Sequence, residues 1–269
     1  MITSNNNAKV KQVVQWQTKA KERRKDHVFL AEGVRMCEEA PVKNVREVYL
    51  TEELEQKIRQ NAQNGDVAFW DKLQQTGYET VSPEVFAKMA DTQTPQGILT
   101  VLEQPVYDLT QLLEQPDPLF LMLENLQDPG NLGTMIRTGE GAGITGVIMN
   151  NQTVDIFNPK TIRATMGSIF RVPFVYVPDL APVLEQMHAK GIYTYAAHLK
   201  GQEYYDSFSF REPTAFLIGN EGNGLSKEIS DQAGQYLKIP MEGRVESLNA
   251  SIAAALLMYE AHRQRSARL

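Results

Sequence analysis

An α/β chain in two parts, the second built on a mostly parallel sheet, is predicted by three observations. In the second half, unbroken apolar runs recur at Leu119–Leu123, 147–149, 172–177, 192–197 and 215–218, as expected of strands covered on both faces. Helical patterns lie between these runs, at about 133–140, 161–168 and 180–190, and strand–helix alternation is the mark of an α/β domain. Between the halves the composition shifts to Gln, Glu, Asp and Pro, with Pro105, Pro116 and Pro118, which reads as a connector. The expected division is a smaller α/β domain over 1–104, a linker over 105–117 and a larger domain over 118–269.

Taken in order, the first part shows β-type runs at Val28-Phe29-Leu30, 45–50, 78–81 and 98–102, separated by helical patterns. Four strands and three or four helices are predicted. Ser82-Pro83 before Glu84 is a helix start, because serine can cap free N–H groups and proline is already held at a helical φ. The connector carries one short helix, Leu109–Leu113. After the strands of the second part the chain closes with a helix over about 249–263. No internal repeat or low-complexity tract is present.

Composition narrows the function classes. With 269 residues, 42% of them hydrophobic, each part can bury a core. Cys37 is the only cysteine, so no internal disulfide can form, and the four histidines show no metal-ligand spacing. No metal site is expected. No apolar run approaches the roughly 20 residues that span a bilayer, and the polar start Met1 to Lys11 lacks a signal-peptide core. A cytoplasmic protein without a membrane partner is expected, so the Asn151 and Asn249 glycosylation triplets carry no weight.

The formal charge of −6 argues against a protein that coats nucleic acid indiscriminately. Yet Lys9, Lys11, Lys19, Lys21, Arg23, Arg24 and Lys25 are opposed within their stretch only by Glu22. This admits two readings: a chosen contact with RNA or DNA, or a solvated helix face.

Three segments of the second part carry polar groups where α/β sheets place ligands, beyond strand carboxyl ends. The first is Asp128-Pro129-Gly130-Asn131-Leu132-Gly133-Thr134-Met135-Ile136-Arg137. Its glycines permit a tight turn, and Asn131 and Arg137, six apart, can both face a crevice; taken alone, the loop reads more readily as a capped glycine turn with an exposed arginine. The second is Gly219-Asn220-Glu221-Gly222-Asn223-Gly224, one carboxylate among three glycines that free backbone groups to meet a small molecule. The third runs from Ile239 through Met241, Ser247, Leu248 and Asn249 into the last helix, where Ser247 and Asn249 are also natural caps. By contrast Gly141-Ala142-Gly143-Ile144-Thr145-Gly146 satisfies GxGxxG but follows a helix and precedes a strand, the reverse of a dinucleotide-binding loop.

In this order and at these spacings, the three segments resemble the three motifs of the SpoU (TrmH-type) RNA 2′-O-ribose methyltransferases of the SPOUT superfamily. The first half, from the basic start through Phe29-Leu30-Ala31-Glu32-Gly33, is similar to that family's substrate-binding domain. The resemblance implies a C-terminal α/β knot, with a trefoil-knotted parallel sheet and helices on both faces. It also implies a homodimer through the catalytic domain and S-adenosylmethionine as cofactor. Carried over by motif, Asn131, Arg137, Glu221, Ser247 and Asn249 form the catalytic set. Ala197, His198, Gly219, Asn220, Ile239, Met241, Ser247 and Leu248 hold the cofactor.

Because a guanidinium is effectively never deprotonated, Arg137 is expected to grip a phosphate and stabilise developing alkoxide charge, with a phosphate oxygen or water taking the proton. Asn131 and Glu221 are expected to orient it. Lys21, Arg23, Arg24, Lys25, Lys160, Arg163 and Arg171 are the RNA-facing candidates, Arg163 and Arg171 equally readable as ordinary surface charges. Gly139 and Gly141 stand where alanine is usual in the family, which puts the firmness of that helix in question. Ribosomal RNA is the expected substrate; transfer RNA, or a non-catalytic RNA-binding protein of the same fold, are the alternatives. A nucleotide-dependent metabolic enzyme would leave the basic N-terminal module without a purpose.

Overall fold

The computed structural model describes residues 1–244 and 247–266. The chain divides into two compact units, Met1–Pro105 with Asp155–Phe170, and Val106–Val154 with Arg171–Leu269.

In the first unit, strands β1 (Val28–Glu32), β2 (Val45–Thr51), β3 (Glu79–Val81) and β4 (Ile98–Glu103) form one sheet in the order β1-β4-β2-β3. β4 runs antiparallel to both neighbours and β3 parallel to β2. The four strands fall where the sequence puts them. Up to Pro105 the α-helices number six rather than three or four: α1 (Ala8–Thr18), α2 (Ala20–Asp26), α3 (Val34–Glu39), α4 (Glu52–Gln63), α5 (Ala68–Thr76) and α6 (Pro83–Met89). Two short breaks, of one residue and of four, account for much of the difference. Lys19 is extended (φ −123°, ψ 109°) between α1 and α2, and Gly65 at φ 106° lies between α4 and α5. α6 begins as predicted, with the Ser82 side chain accepting the Val85 N–H.

Both faces of this sheet are covered. Val10, Val13 and Trp16 of α1, with Phe86 and Met89 of α6, pack on Leu30, Tyr49, Leu99 and Val101. Ile58, Phe69 and Leu73 pack on Val48, Leu50 and Ile98 on the other side, as the two-residue period of a strand requires. The segment 155–170 belongs to this unit: Phe157 and Phe170 place their ring centroids 5.1 and 6.3 Å from that of Phe29.

The second unit is a six-stranded, wholly parallel sheet. Its strands β5 (Leu119–Leu123), β6 (Gly146–Asn150), β7 (Phe174–Val177), β8 (Tyr193–Ala197), β9 (Thr214–Ile218) and β10 (Gln235–Leu237) take the order β10-β8-β9-β5-β6-β7. Five were predicted. β10 was not, being a three-residue edge strand with one buried position and little apolar signal.

The chain's later helices are α7 (Leu109–Leu113), α8 (Pro129–Ala142), α9 (Pro159–Thr165, in the first unit), α10 (Ala181–Ala189), α11 (Lys227–Gln232) and α12 (Ala250–Ser266). Val183, Leu184 and Met187 of α10 join Phe120, Met122, Ile148 and Leu217 in one core. α12 packs along α8 and against β9, with Ala254, Leu257, Met258 and Ala261 fully buried. Arg265, near its end, donates to the carbonyls of Phe210, Asp117, Pro118 and Glu212 at 2.6 to 3.2 Å. One side chain thereby ties the last helix to the entries of β5 and β9.

α8 begins four residues earlier than the apolar pattern suggests. The Asp128 side chain accepts the Asn131 N–H at 2.7 Å and Pro129 opens the helix, so the expected glycine turn is in fact its first turn. The helix stops at Gly143 (φ 75°), where the Gly143 and Ile144 N–H groups reach back to Glu140 and Gly139 at 3.1 and 2.9 Å. The GxGxxG match is thus a helix C-cap. A Cβ on Gly139 would lie 2.3 Å from Ile144 Cδ1, and one on Gly141 2.8 Å from Tyr259 Oη. An alanine at either position would require Ile144 or Tyr259 to shift.

Candidate active site

The loops beyond β8, β9 and β10 and the start of α12 enclose a cavity of about 330 Å³, within the range of small-molecule sites. Ala197, His198, Gly219, Asn220, Ile239, Met241, Ser247 and Leu248 all line it. So do Ile218, Leu225, Leu237 and Ala253, which the sequence did not single out and which make much of the wall apolar. Val245 and Glu246 lie outside the described residues.

The loop after β9 owes its shape to two residues. Asn220 exchanges backbone hydrogen bonds with Gly224 at 2.9 and 3.0 Å, and its side-chain oxygen accepts the N–H groups of Gly222 and Asn223. Its amide donates to the Asn125 carbonyl at 2.8 Å, tying the loop to the end of β5. At Gly219 a Cβ would lie 2.1 Å from both Gly224 C and Leu225 N, so the closed loop admits no side chain there. Asn220 thus acts on the cavity chiefly by shaping it.

Beside the cavity a hydrogen-bonded chain joins all three sequence segments. Asn249 Nδ2 donates to Asn131 Oδ1 at 3.0 Å, and Asn131 Nδ2 donates to Glu221 Oε1 at 3.0 Å. Glu221 also accepts the backbone N–H groups of Gln127 and Asp128 at 3.1 and 3.0 Å. Burial acts to raise the Glu221 pKa, but the Asn131 amide and these N–H groups outweigh it and hold the carboxyl below its usual range. Asn249 Oδ1 accepts from Ser251, capping α12, so its capping and bridging roles coexist. Gln127, outside the predicted segments, and Asp128, the first residue of one of them, also belong to this joint. Asp128 was detectable as an Asp-Pro helix start.

Arg137 stands apart. It is exposed on α8 and makes no hydrogen bond or ion pair among the described residues. The expected bonds from Asn131 and Glu221 to it are therefore absent: those side chains are spent on each other, on Asn249 and on the backbone. Ser247 is exposed at the cavity edge. The His198 ring stacks on Tyr236 with centroids 5.0 Å apart, and its Nδ1 accepts the Lys200 N–H. Burial, then the Lys200 charge, lowers its pKa, which favours the neutral ring.

The RNA-facing candidates divide. Lys21, Arg24, Lys25 and Lys160 are exposed. Arg23 is not: it is 3% exposed, donating to the Trp16 and Gln17 carbonyls and to Asp155 Oδ2 at 2.6 Å. A guanidinium so placed holds its own unit together and cannot meet a phosphate. Arg163 pairs with Asp91 and Arg171 with Glu140, so each would have to give up or share a carboxylate to bind RNA.

A parallel sheet with polar loops gathered beyond its strand ends, beside a mostly apolar cavity, defines a small-molecule-dependent enzyme of the α/β class. Comparison with known proteins makes this specific. Residues 118–259 match the SpoU rRNA Methylase family and residues 7–100 the MRM3-like substrate binding domain. The chain belongs to the SpoU methylase family.

It is 34% identical over 261 residues to the 23S rRNA (guanosine(2553)-2′-O)-methyltransferase RlmP of Bacillus subtilis, covering 96% of this chain and 97% of that protein. It is similar to the crystal structure of AdoMet-bound rRNA methyltransferase from Sinorhizobium meliloti, with TM-score 0.84, 30% identity and 97% of each chain covered. It is also similar to the SpoU methyltransferase AviRb from Streptomyces viridochromogenes in complex with AdoMet, with TM-score 0.82, 29% identity, 97% of this chain and 100% of that one.

Proposed function

We propose that the protein transfers a methyl group from S-adenosylmethionine to a ribose 2′-hydroxyl of ribosomal RNA. The protein is a SpoU-family methyltransferase and S-adenosylmethionine is its cofactor. The observation that carries the reading is the joint Asn249–Asn131–Glu221 beside a cavity walled by the loops of β8, β9 and β10. Residues 1–104 are taken as the RNA-binding domain, 105–117 as linker and 118–269 as the catalytic domain, in a cytoplasmic protein.

When bound, S-adenosylmethionine supplies an activated methyl group. Apolar walls at Ile218, Leu225 and Leu248 suit a purine and a methionine chain, while the glycine loop offers backbone groups at close range. Asn131, Glu221 and Asn249 hold the three loops in register, so that the acceptor oxygen meets the methyl in line. Ser247 is placed at the rim to meet the ribose. Arg137, with its guanidinium unspent, binds the adjacent phosphate and stabilises charge growing on the 2′-oxygen as its proton leaves for a phosphate oxygen or water.

We further infer a homodimer through the catalytic domain and a trefoil knot in its C-terminal segment. Ile252, Leu256 and Tyr259 form an exposed stripe on α12, at 49%, 37% and 49% exposure, and exposed apolar patches mark association surfaces. In support of the knot, the segment after β10 reaches the first turn of α8 through Asn249 and Asn131.

The test is tritium transfer from methyl-labelled S-adenosylmethionine to total RNA of a strain lacking the gene. Label confined to ribosomal RNA, at an alkali-resistant linkage, is the expected result; label in transfer RNA alone, or none in any RNA, would refute the reading.

A further inference from the structure

At the carboxyl ends of β5 and β6 two asparagines form a closed pair. The Asn125 N–H donates to Asn150 Oδ1 at 2.9 Å, and Asn150 Nδ2 donates to Asn125 Oδ1 at 2.8 Å. The pair closes in one sense only. A backbone N–H can only donate, so Asn150 must present its oxygen there and its amide to the Asn125 side chain. The Thr153 hydroxyl donates to the same Asn150 oxygen at 2.9 Å, and Asn150 is 7% exposed, so water competes little for these bonds.

The backbone at Asn125 is left-handed, with φ 55°. Asparagine enters that region more readily than most residues but still at a cost, and the pair with Asn150 offsets it. What the left-handed turn achieves is the direction of the Asn125 carbonyl. That oxygen accepts Asn220 Nδ2 at 2.8 Å and Gln127 Nε2 at 2.9 Å, which uses both of its lone pairs. The Asn220 side chain closes the glycine loop of the cavity through the Gly222 and Asn223 N–H groups, while the Gln127 N–H meets Glu221 of the joint. One carbonyl thus fixes the loop after β9 and the loop before α8 together. Among the described residues neither Asn125 nor Asn150 lines the cavity itself.

We infer that Asn125 and Asn150 are positioning residues for the methyl donor, on the reading of this cavity as the S-adenosylmethionine site. Their pair holds the Asn125 backbone left-handed, and the carbonyl so aimed keeps the Asn220 loop closed around the cofactor. The test is calorimetric titration of the full chain with S-adenosylmethionine, at a temperature where circular dichroism shows every variant folded. Asn125→Gly removes the pair while leaving φ 55° free of steric cost, and Asn150→Ala removes it from the other side. Each is expected to weaken binding about tenfold. The double variant is expected to be no weaker than either single one, because both break the same pair. Asn125→Asp keeps an oxygen for Asn150 Nδ2 and is expected to bind within about threefold of the unaltered protein. A merely structural role would lower the unfolding temperature and leave the affinity of the folded chain unchanged.

Unchanged affinity in Asn125→Gly, losses that add in the double variant, or a loss that Asn125→Asp shares in full overturns the inference. If Asn150→Ala does not fold, Asn125→Gly against Asn125→Asp decides alone. Failure of the unaltered protein to bind S-adenosylmethionine overturns the reading of the cavity, and the positioning role with it. Binding that follows the expected order without label in any RNA overturns the RNA methyltransferase reading and leaves the positioning role standing.

Discussion

The loops of the catalytic unit and the basic stretch of the first unit both stand out in the sequence, yet they are built in opposite ways. In the catalytic unit, residues far apart in the chain close on one another: Asn249, Asn131 and Glu221 form a single hydrogen-bonded chain. In the basic stretch, neighbours part company: Lys21, Arg24 and Lys25 face solvent, whereas Arg23 turns inward to Asp155. Polar residues at strand ends are read well from motif spacing, because the sheet dictates where they converge. Charged residues on a short helix are not, because a turn of about 100° per residue gives adjacent positions different surroundings.

The largest expected effect lies in the first of these regions. Gly219→Ala forces a Cβ into the Gly224–Leu225 backbone, which lies 2.1 Å away. It is expected to abolish measurable S-adenosylmethionine binding by calorimetry while the first unit keeps its fold. Wild-type affinity in this variant would mean that the closed loop is not what binds the cofactor.

Next in size is Arg23→Ala. The ion pair is well shielded on the arginine side, with 4% of that side chain exposed, and less so at Asp155, with 23% exposed. Losing it with two carbonyl bonds should destabilise the protein by about 2–3 kcal/mol, read from urea unfolding. Lys25→Ala should change stability by less than about 0.5 kcal/mol. Equal stability of the two variants would erase the distinction between them. For RNA affinity the order reverses. Loss of one exposed phosphate contact among Lys21, Arg24 and Lys25 should lower the slope of log K against log salt by about one.

The smallest effect concerns pH. With its folded pKa held below the usual 4.5, the Glu221 carboxylate contributes stability that is fully present above that value and fades as pH falls through the lowered one. The Glu221 contribution to stability against urea should therefore be flat from neutrality down to about pH 5. Glu221→Gln should remove the acid-side decline that remains below. An unchanged decline in the variant would assign it to another group.

How much of this was legible beforehand follows the same divide. Strand after strand is placed by its apolar run because both sheets are covered on both faces, and β10 escapes because it is short and at an edge. The loops that line the cavity are placed by motif, down to Gly219 and Leu248. The start of α8 was misplaced because its first turn, Pro129 to Leu132, carries capping and glycine signals that also describe a loop. The partners of Asn131 and Glu221 were beyond reach: motif order says that these residues gather, but not which oxygen meets which amide.

Arg137, exposed and without a hydrogen bond or ion pair among the described residues, is proposed to act on the acceptor rather than on the cofactor. The measurement is single-turnover methyl transfer to the ribosomal RNA substrate at saturating S-adenosylmethionine, comparing the wild type with Arg137→Ala, together with the cofactor affinity of each. Transfer is expected to slow by about 10²–10³-fold while cofactor affinity stays within about threefold, since uniform binding is untouched. Transfer at the wild-type rate, or a loss wholly explained by weaker cofactor binding, would contradict it.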